Sequence, residues 1–409
     1  MKVWIKYLLG VLIGIASAFI LPMDNETVNA VVTFVLDLFI RFGRYIVVPL
    51  LSFSAAVAVN KLRSSKLILK TTLLTSGIII LSSLILTVVG LVSILIVKLP
   101  RIPITVDKVE EVYSLHIPML IKSLFPNSAF EAFLEGSFLL VPFLFAFIVG
   151  WESASDQNAF RPVFSFLDSF SKLFYGIAVF FTEIMSVGMI VILCNWTVTF
   201  RSVWASGIYT PMIIMFIVDF VLIVGLIYPL ILYYVCNDPH PYRVLFASIT
   251  SCLVSFFSGD SNLTLPLNIR HGKESLGIRR KISGYTYPLF SMFARGGSAL
   301  VVVISFIVIW RSYSSLAIPV VDVIWVSVLA FLLSFLLGGL PSGGAFILLA
   351  ILCNRYSKGF ETSFLLLKPA APIICSFAAL FDTVTAMFGS YIVAVKTKMI
   401  EHHTVSHFI

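Results

Sequence analysis

The seven residues "SGDSNLT" (258–264) decide how this chain is arranged, because they interrupt an apolar run that has to turn back on itself. That run, 243–268, follows the polar loop 236–242 and is itself followed by the strongly basic stretch "RHGKESLGIRRK" (270–281). The wider composition makes lipid the solvent for both. Of 409 residues, 59% are hydrophobic and only 12% are charged, with mean hydropathy +1.04. A soluble chain of this length could not hide so much apolar surface.

The net charge of +8 does not point to a nucleic-acid partner, because of where the basic residues fall. They gather in short loops at "NKLRSSKLILK" (60–70), at 270–281 and at "VKTKM" (395–399). Short basic loops mark the cytoplasmic face of a membrane protein. The stretch from Val3 to Pro22 is long enough to span and lacks a clear small-residue cleavage site, so it reads as a retained anchor rather than a removed signal peptide. Cys194, Cys236, Cys252, Cys353 and Cys375 have no paired spacing and read as buried thiols without disulfide or metal. His402, His403 and His407 read as a solvated tail cluster. No cofactor is expected.

Apolar stretches fall at 3–22, 29–58, 69–97, 135–150, 165–194, 206–236, 243–268, 283–310, 319–353 and 365–395. With Lys2 and Lys6 cytoplasmic, simple alternation holds as far as 236–242, which falls inside. It then fails, since 270–281 must also be inside. The conflict disappears if 243–268 enters and leaves by one face, turning at 258–264. The 319–353 stretch is too long for one ordinary span and is interrupted by "GGLPSGG" (338–344), so it is read the same way from the opposite face. Both termini are then cytoplasmic.

Each of these segments is followed by a span carrying small and polar residues, "FARGGSA" (293–299) and "LFDTVTAMFGS" (380–390), which are expected to break their helices. Irregular backbone at membrane depth is tolerated only where it is buried in protein or lines a wet cavity, and paired broken segments point to a transporter site. The alternative at this stage is an ordinary bundle of kinked helices.

Several motifs also resemble one family. These are "RYIVVPLLSFSAAVAV" (44–59), "LFPNSAFEAFLEGSFLLVPFLFAFIVG" (124–150), "SNLTLPLNIR" (261–270), "GLPSGGAFILLAIL" (339–352) and "FGSYIVAV" (388–395). They are similar to segments of the dicarboxylate/amino-acid:cation symporters that include the glutamate transporter homologues. The resemblance implies an all-α polytopic membrane protein with eight transmembrane helices, two re-entrant hairpins and inverted repeats. It implies a homotrimer in a cell membrane, here the inner membrane of a bacterium, with lipid and a small-molecule substrate as partners. It also implies a scaffold (1–66 and 124–203), a transport domain moving like an elevator (67–123 and 204–399) and a tail (400–409).

Carried over residue by residue, the resemblance puts substrate at Ser261, Asn262, Arg295, Ser298, Leu340, Gly344, Cys375 and Asp382, with a gate at Pro341, Ser342 and Gly343. The departures fall on the chemistry. The family's unwound seventh helix offers an asparagine and an aspartate to sodium, where this chain has Ala294, Arg295, Gly296, Gly297 and Ser298. On the eighth helix, the acid for the substrate amino group becomes Cys375 and the arginine for a side-chain carboxylate becomes Ala378. Asp382 replaces an asparagine, and Ala386 replaces a sodium-binding aspartate.

Sodium needs several hard oxygen ligands, so this is a poor sodium site. An arginine at a helix centre costs about 2.5–3.5 kcal/mol even on the lenient insertion scale and normally finds an acid inside the bundle. Asp260 and Asp382 are the two acids available for charge pairing or coupling. Two readings of Arg295 stay open: a built-in cation replacing bound sodium, and a static bridge holding broken helices together. Proton coupling through Asp382 is a further option.

The expected function is transport of a small amino acid or carboxylate, with altered or absent sodium dependence, and not catalysis. A relative that senses rather than transports is the alternative. An intramembrane aspartyl protease built on Asp260 and Asp382 is disfavoured, because Ser258 and Phe381 replace the glycine and tyrosine that such sites want.

Overall fold

The computed structural model describes residues 2–23, 25–103, 139–314, 318–340, 343–357, 359–401, 403 and 408. Over these it is helical, with one isolated bridge between Ile278 and Ile400. In chain order the helices are α1 (Val3–Ile20), α2 (Glu26–Ser64), α3 (Ile68–Ile96), α4 (Leu140–Glu152) and α5 (Arg161–Ala205). Next comes α6 (Thr210–Cys236), which contains a π turn at Ile223–Ile227. The remainder are α7 (Tyr242–Ser258), α8 (Leu265–Glu274), α9 (Arg280–Phe293), α10 (Gly296–Tyr313), α11 (Val320–Ser334), α12 (Gly344–Tyr356) and α13 (Ala371–Lys396). Short 3-10 turns follow α11 at Phe335–Gly339 and precede α13 at Ser363–Ala370.

Among the described residues, seven helical stretches are long and apolar enough to cross a membrane. Their outward faces carry large apolar side chains such as Leu12, Phe19, Leu73, Phe180, Val221 and Val321. A polytopic membrane protein accounts for so much exposed hydrocarbon.

Local sequence explains the packing. On α1, Val3, Tyr7, Gly10 and Gly14 recur at three- or four-residue intervals and form the buried face. A Cβ at Gly10 would lie 2.4 Å from the Ser186 carbonyl oxygen, and one at Gly14 would lie 2.6 Å from that of Ile190. Small residues a turn apart let membrane helices approach closely, where packing supplies the attraction. The Tyr7 hydroxyl adds a 2.7 Å hydrogen bond to the Thr182 carbonyl of α5. Thus α1, α2, α4 and α5 pack as one group, while α3, α7, α9, α10 and α13 pack as another. The groups meet where α2 lies on α9 and α5 lies on α8.

Three breaks shape the second group. Gly259 ends α7 with φ +64°, a conformation that costs glycine nothing, and α8 returns beside α7. Gly343, with φ +70°, plays the same part before α12, which packs beside α11. The third break separates α9 from α10 at Ala294 and Arg295.

The expected fourth break is absent: α13 runs unbroken through "LFDTVTAMFGS". Its polar residues are satisfied without unwinding. The Thr385 hydroxyl donates to the Phe381 carbonyl one turn back at 2.7 Å, Thr383 reaches Thr264 at 3.4 Å, and Gly389 seats the Phe290 ring. Helix α5 also outruns its expected end by eleven residues, because "NWTVTFRSVWA" (195–205) holds neither glycine nor proline. All five cysteines are free; Cys194 and Cys353 are buried, whereas Cys236, Cys252 and Cys375 are only half-buried. Within the expected histidine cluster, His402 and His407 lie outside the described residues. His403 is half-buried, with Nδ1 3.0 Å from the Glu274 carbonyl.

The loop between α6 and α7 is tied down by Asp238. Its Oδ2 accepts from Arg243 at 3.0 Å and from the Tyr391 hydroxyl of α13, and its Oδ1 accepts from the His240 amide at 3.0 Å. Burial opposes the charge, but the Tyr391 hydroxyl, the His240 amide and Arg243 outweigh it and hold the Asp238 carboxyl below its ordinary range. Such an acid contributes stability that is complete above its unfolded pKa and is lost as pH falls through the folded value. Asp238→Asn is therefore expected to lower stability by about 1.5–3 kcal/mol at pH 7, with the gap to the parent narrowing as pH falls from about 4 through the depressed folded value. Melting curves of the two proteins that stay parallel down to pH 3 would contradict this.

Candidate functional site

The site forms around the interruption between α9 and α10. Ala294 (φ −82°, ψ 64°) leaves the helix, and Arg295 (φ −100°, ψ 27°) precedes the first turn of α10. That turn is wedged between α3 and α13, which explains the two glycines. A Cβ at Gly296 would stand 2.5 Å from Ser83 Cα, and one at Gly297 would stand 2.3 Å from Phe381 Cβ. Gly297→Ala is accordingly expected to cost about 1–3 kcal/mol through overpacking, read as a lower melting temperature. An unchanged melting temperature would mean the helices separate freely there.

Asp382, buried on α13, caps this turn from outside. Its Oδ1 accepts from the Gly297 amide at 2.8 Å and the Ser298 amide at 3.3 Å, and its Oδ2 accepts from the Ser298 hydroxyl at 2.9 Å. A helix cannot satisfy its own first amides, and negative charge is favoured at that end. One carboxylate supplies both needs.

Arg295 points the other way, across to the tip between α7 and α8. Its Nη1 donates to the Ser261 hydroxyl and its Nη2 to Asn262 Oδ1 at 2.6 Å, while Nη1 stands 3.7 Å from Asp382 Oδ2. The side chain is buried, and among the described residues its Nε has no hydrogen-bond partner. Of the two expected acids, then, Asp382 is the one beside Arg295. Asp260 pairs elsewhere: its Oδ2 accepts from Arg44 Nη2 at 3.2 Å, and its Oδ1 accepts from the Asn262 amide at 2.9 Å.

The second tip closes the arrangement, because Asn262 Nδ2 donates to the Leu340 carbonyl at 3.2 Å. All eight substrate positions expected from the sequence, together with Asp260 and Gly343, line a single cleft between the tips and α13. Pro341 and Ser342 lie outside the described residues. The α13 wall comes from Cys375, Ala378, Ala379 and Asp382, spaced to share one helix face. The cleft has about 20 Å³ of free volume, room for about one water.

Sequence reasoning gave no site role to Arg44. The signal was present, since Arg44 is a charge inside the apolar run of α2, and the rule that singles out Arg295 applies to it equally. Gly259, Leu337 and Ala379 also line the cleft without having been expected there.

Comparison with known proteins matches residues 1–397 to the sodium:dicarboxylate symporter family. The chain belongs to this family. It is thus a member of a transporter family and not an enzyme.

Among curated relatives, this symporter-family chain is similar to neutral amino acid transporter B(0) of Homo sapiens, at 30% identity over 127 residues. That match covers 31% of this chain and 23% of the relative. The proteins of the same name from Rattus norvegicus and Bos taurus are each 29% identical, over 127 and 128 residues. These cover 31% of this chain and 22% and 24% of the relatives, so the chain aligns with about a quarter of their length.

Proposed function

We propose that this symporter carries a small carboxylate-bearing solute, such as a neutral amino acid, with Arg295 in place of a bound sodium ion as the positive charge beside it. The observation that carries this reading is the placement of Arg295: buried in the cleft, forked onto the first tip, with its Nε unpartnered among the described residues. A planar guanidinium suits a carboxylate, and Gly344 and Ala345, in the first turn of α12, line the same cleft. Ala378 offers no charge to a second carboxylate, which disfavours dicarboxylates. Within the break itself, residues 294–298, the only side-chain oxygen is that of Ser298, which donates to Asp382, whose carboxylate is already engaged by the Gly297 and Ser298 amides, so the donor set suits sodium poorly. The names of the relatives agree with a neutral amino acid.

In this reading α7–α8 and α11–α12 are re-entrant hairpins, with the second acting as the gate. Helix α7 has 17 residues and α8 has 10, which supports a turn within the membrane rather than two full spans. The group α1, α2, α4 and α5 serves as a static scaffold, and the remainder slides past it as an elevator. The near-closed cleft supports a gate that moves for substrate to enter. By resemblance the protein is a homotrimer in a bacterial inner membrane with both termini cytoplasmic.

The test is uptake of radiolabelled L-amino acids and dicarboxylates by proteoliposomes. Expected is uptake of one or more neutral amino acids and none of glutamate or aspartate. Dicarboxylate uptake would overturn the substrate reading, and absence of all flux would favour a sensor that has lost transport.

A further inference from the structure

We propose that Asp260 recognises the ammonium group of the substrate and that Arg44 is a removable counter-ion, holding Asp260 until substrate displaces it. This rests on the transport reading above and adds the substrate class and the event that loading triggers. The argument starts from which acids are free to change partners. Among the described residues lining the cleft there are two, and Asp382 is committed to three hydrogen bonds from the first turn of α10. Among the described residues the Asp260 carboxylate accepts one local bond, from the Asn262 amide, and its other oxygen faces Arg44.

That ion pair is built to open. Its distances, 3.2 Å from Nη2 and 3.4 Å from Nε, are longer than the roughly 2.7–2.9 Å of a tight charge-assisted pair. It is also lopsided: the Asp260 side chain is 3% exposed and that of Arg44 is 28% exposed. The acid is fixed in the tip, and the base leans in from a half-open position. Arg44 belongs to α2, in the group that packs with α4 and α5, whereas Asp260 belongs to the tip of α7–α8. The bond therefore crosses the boundary between the two helix groups.

The cleft is also polarised. Asp260 stands beside Ser261 and Asn262, the two residues that Arg295 grips, and Gly259 faces Cys375 of α13 with its Cβ direction 3.7 Å from the Cys375 Cβ. A carboxylate and a guanidinium thus border the same narrow space, the arrangement that takes a zwitterion with its ammonium at Asp260 and its carboxylate at Arg295. Cys375 cannot hold an ammonium group, and Asp260, next in the chain to the Gly259 that faces Cys375, can. When an ammonium takes the place of Arg44, one charge pair replaces another and one of the ionic ties between the helix groups is cut, the pairs Arg270–Glu183 and Arg280–Asp168 being left in place. A carboxylate without an amine leaves that tie closed. Loading thereby loosens the hold of α2 on the first tip.

The experiment uses the purified full-length protein and measures binding by calorimetry and thermal shift. The probes are the L-amino acids, each matched with the 2-hydroxy acid that replaces its amine by a hydroxyl. Expected is at least tenfold tighter binding of a neutral amino acid than of its hydroxy acid. Arg44→Met should tighten amino-acid binding about tenfold, because the competitor is gone, and enlarge the thermal shift on binding. Arg44→Lys, which keeps a competing cation, should return both to parent values. Asp260→Asn should erase the preference for amino acid over hydroxy acid. Equal binding of both acids by the parent, or weaker amino-acid binding in Arg44→Met with Arg44→Lys like the parent, would overturn the proposal. So would failure of every amino acid to bind, and uptake of an amine-free solute in vesicles would then leave the transport reading standing.

Discussion

Arg295→Ala is expected to abolish uptake, by at least a hundredfold, and to lower stability by about 3–5 kcal/mol. Two separate losses combine. The guanidinium is the link from the α9–α10 break to the first tip, through Ser261 and Asn262, and it is the nearest cation to Asp382 at 3.7 Å. Hydrogen bonds to charged groups are worth about 1.5–3 kcal/mol each, so losing the contact proposed between the Arg295 fork and the substrate carboxylate accounts for a fall of that size. Leaving Asp382 without its cation accounts for the stability. Arg295→Lys separates the two, because an ammonium restores the charge near Asp382 but not the planar fork. It should recover most of the melting temperature and little of the uptake. If Arg295→Lys transports like the parent, a point charge suffices and the fork is irrelevant.

The second large effect is expected at Asp382. Asp382→Ala removes three acceptor contacts from the first turn of α10 and strips Arg295 of its nearby acid, so a loss of about 3–5 kcal/mol should appear on thermal unfolding. Asp382→Asn keeps an oxygen for the Gly297 amide, and asparagine is among the best capping residues, so about half of that loss should be recovered. Equal destabilisation by both variants would mean that charge, not capping, is the function of Asp382. Equal neutrality would mean that α10 starts there without help.

The breaks at Gly259 and Gly343 were legible because charge topology and apolar length both call for an interruption there, and neither depends on knowing a partner. Arg295 was legible for a similar reason, since a buried guanidinium announces itself. Its geometry was not. That Asp382 caps α10 across space, while Arg295 leans toward the opposite tip, depends on the approach of α13 to Gly297, which no local pattern encodes. Helix α13 was misread as broken because its hydroxyls and glycine look like unwinding signals. In place, Thr385 bonds back one turn and Gly389 makes room for Phe290. Arg44 was passed over as part of a motif, although its charge in an apolar helix called for the same question as Arg295.

The measurement closest to the central claim is amino-acid uptake into proteoliposomes with an inward sodium gradient, compared with choline in its place. If the Arg295 guanidinium replaces a bound sodium ion, as proposed, uptake should be the same in both, and sodium should not raise the melting temperature beyond what choline does. Uptake that requires sodium, or a melting temperature that rises with sodium alone, would contradict the account.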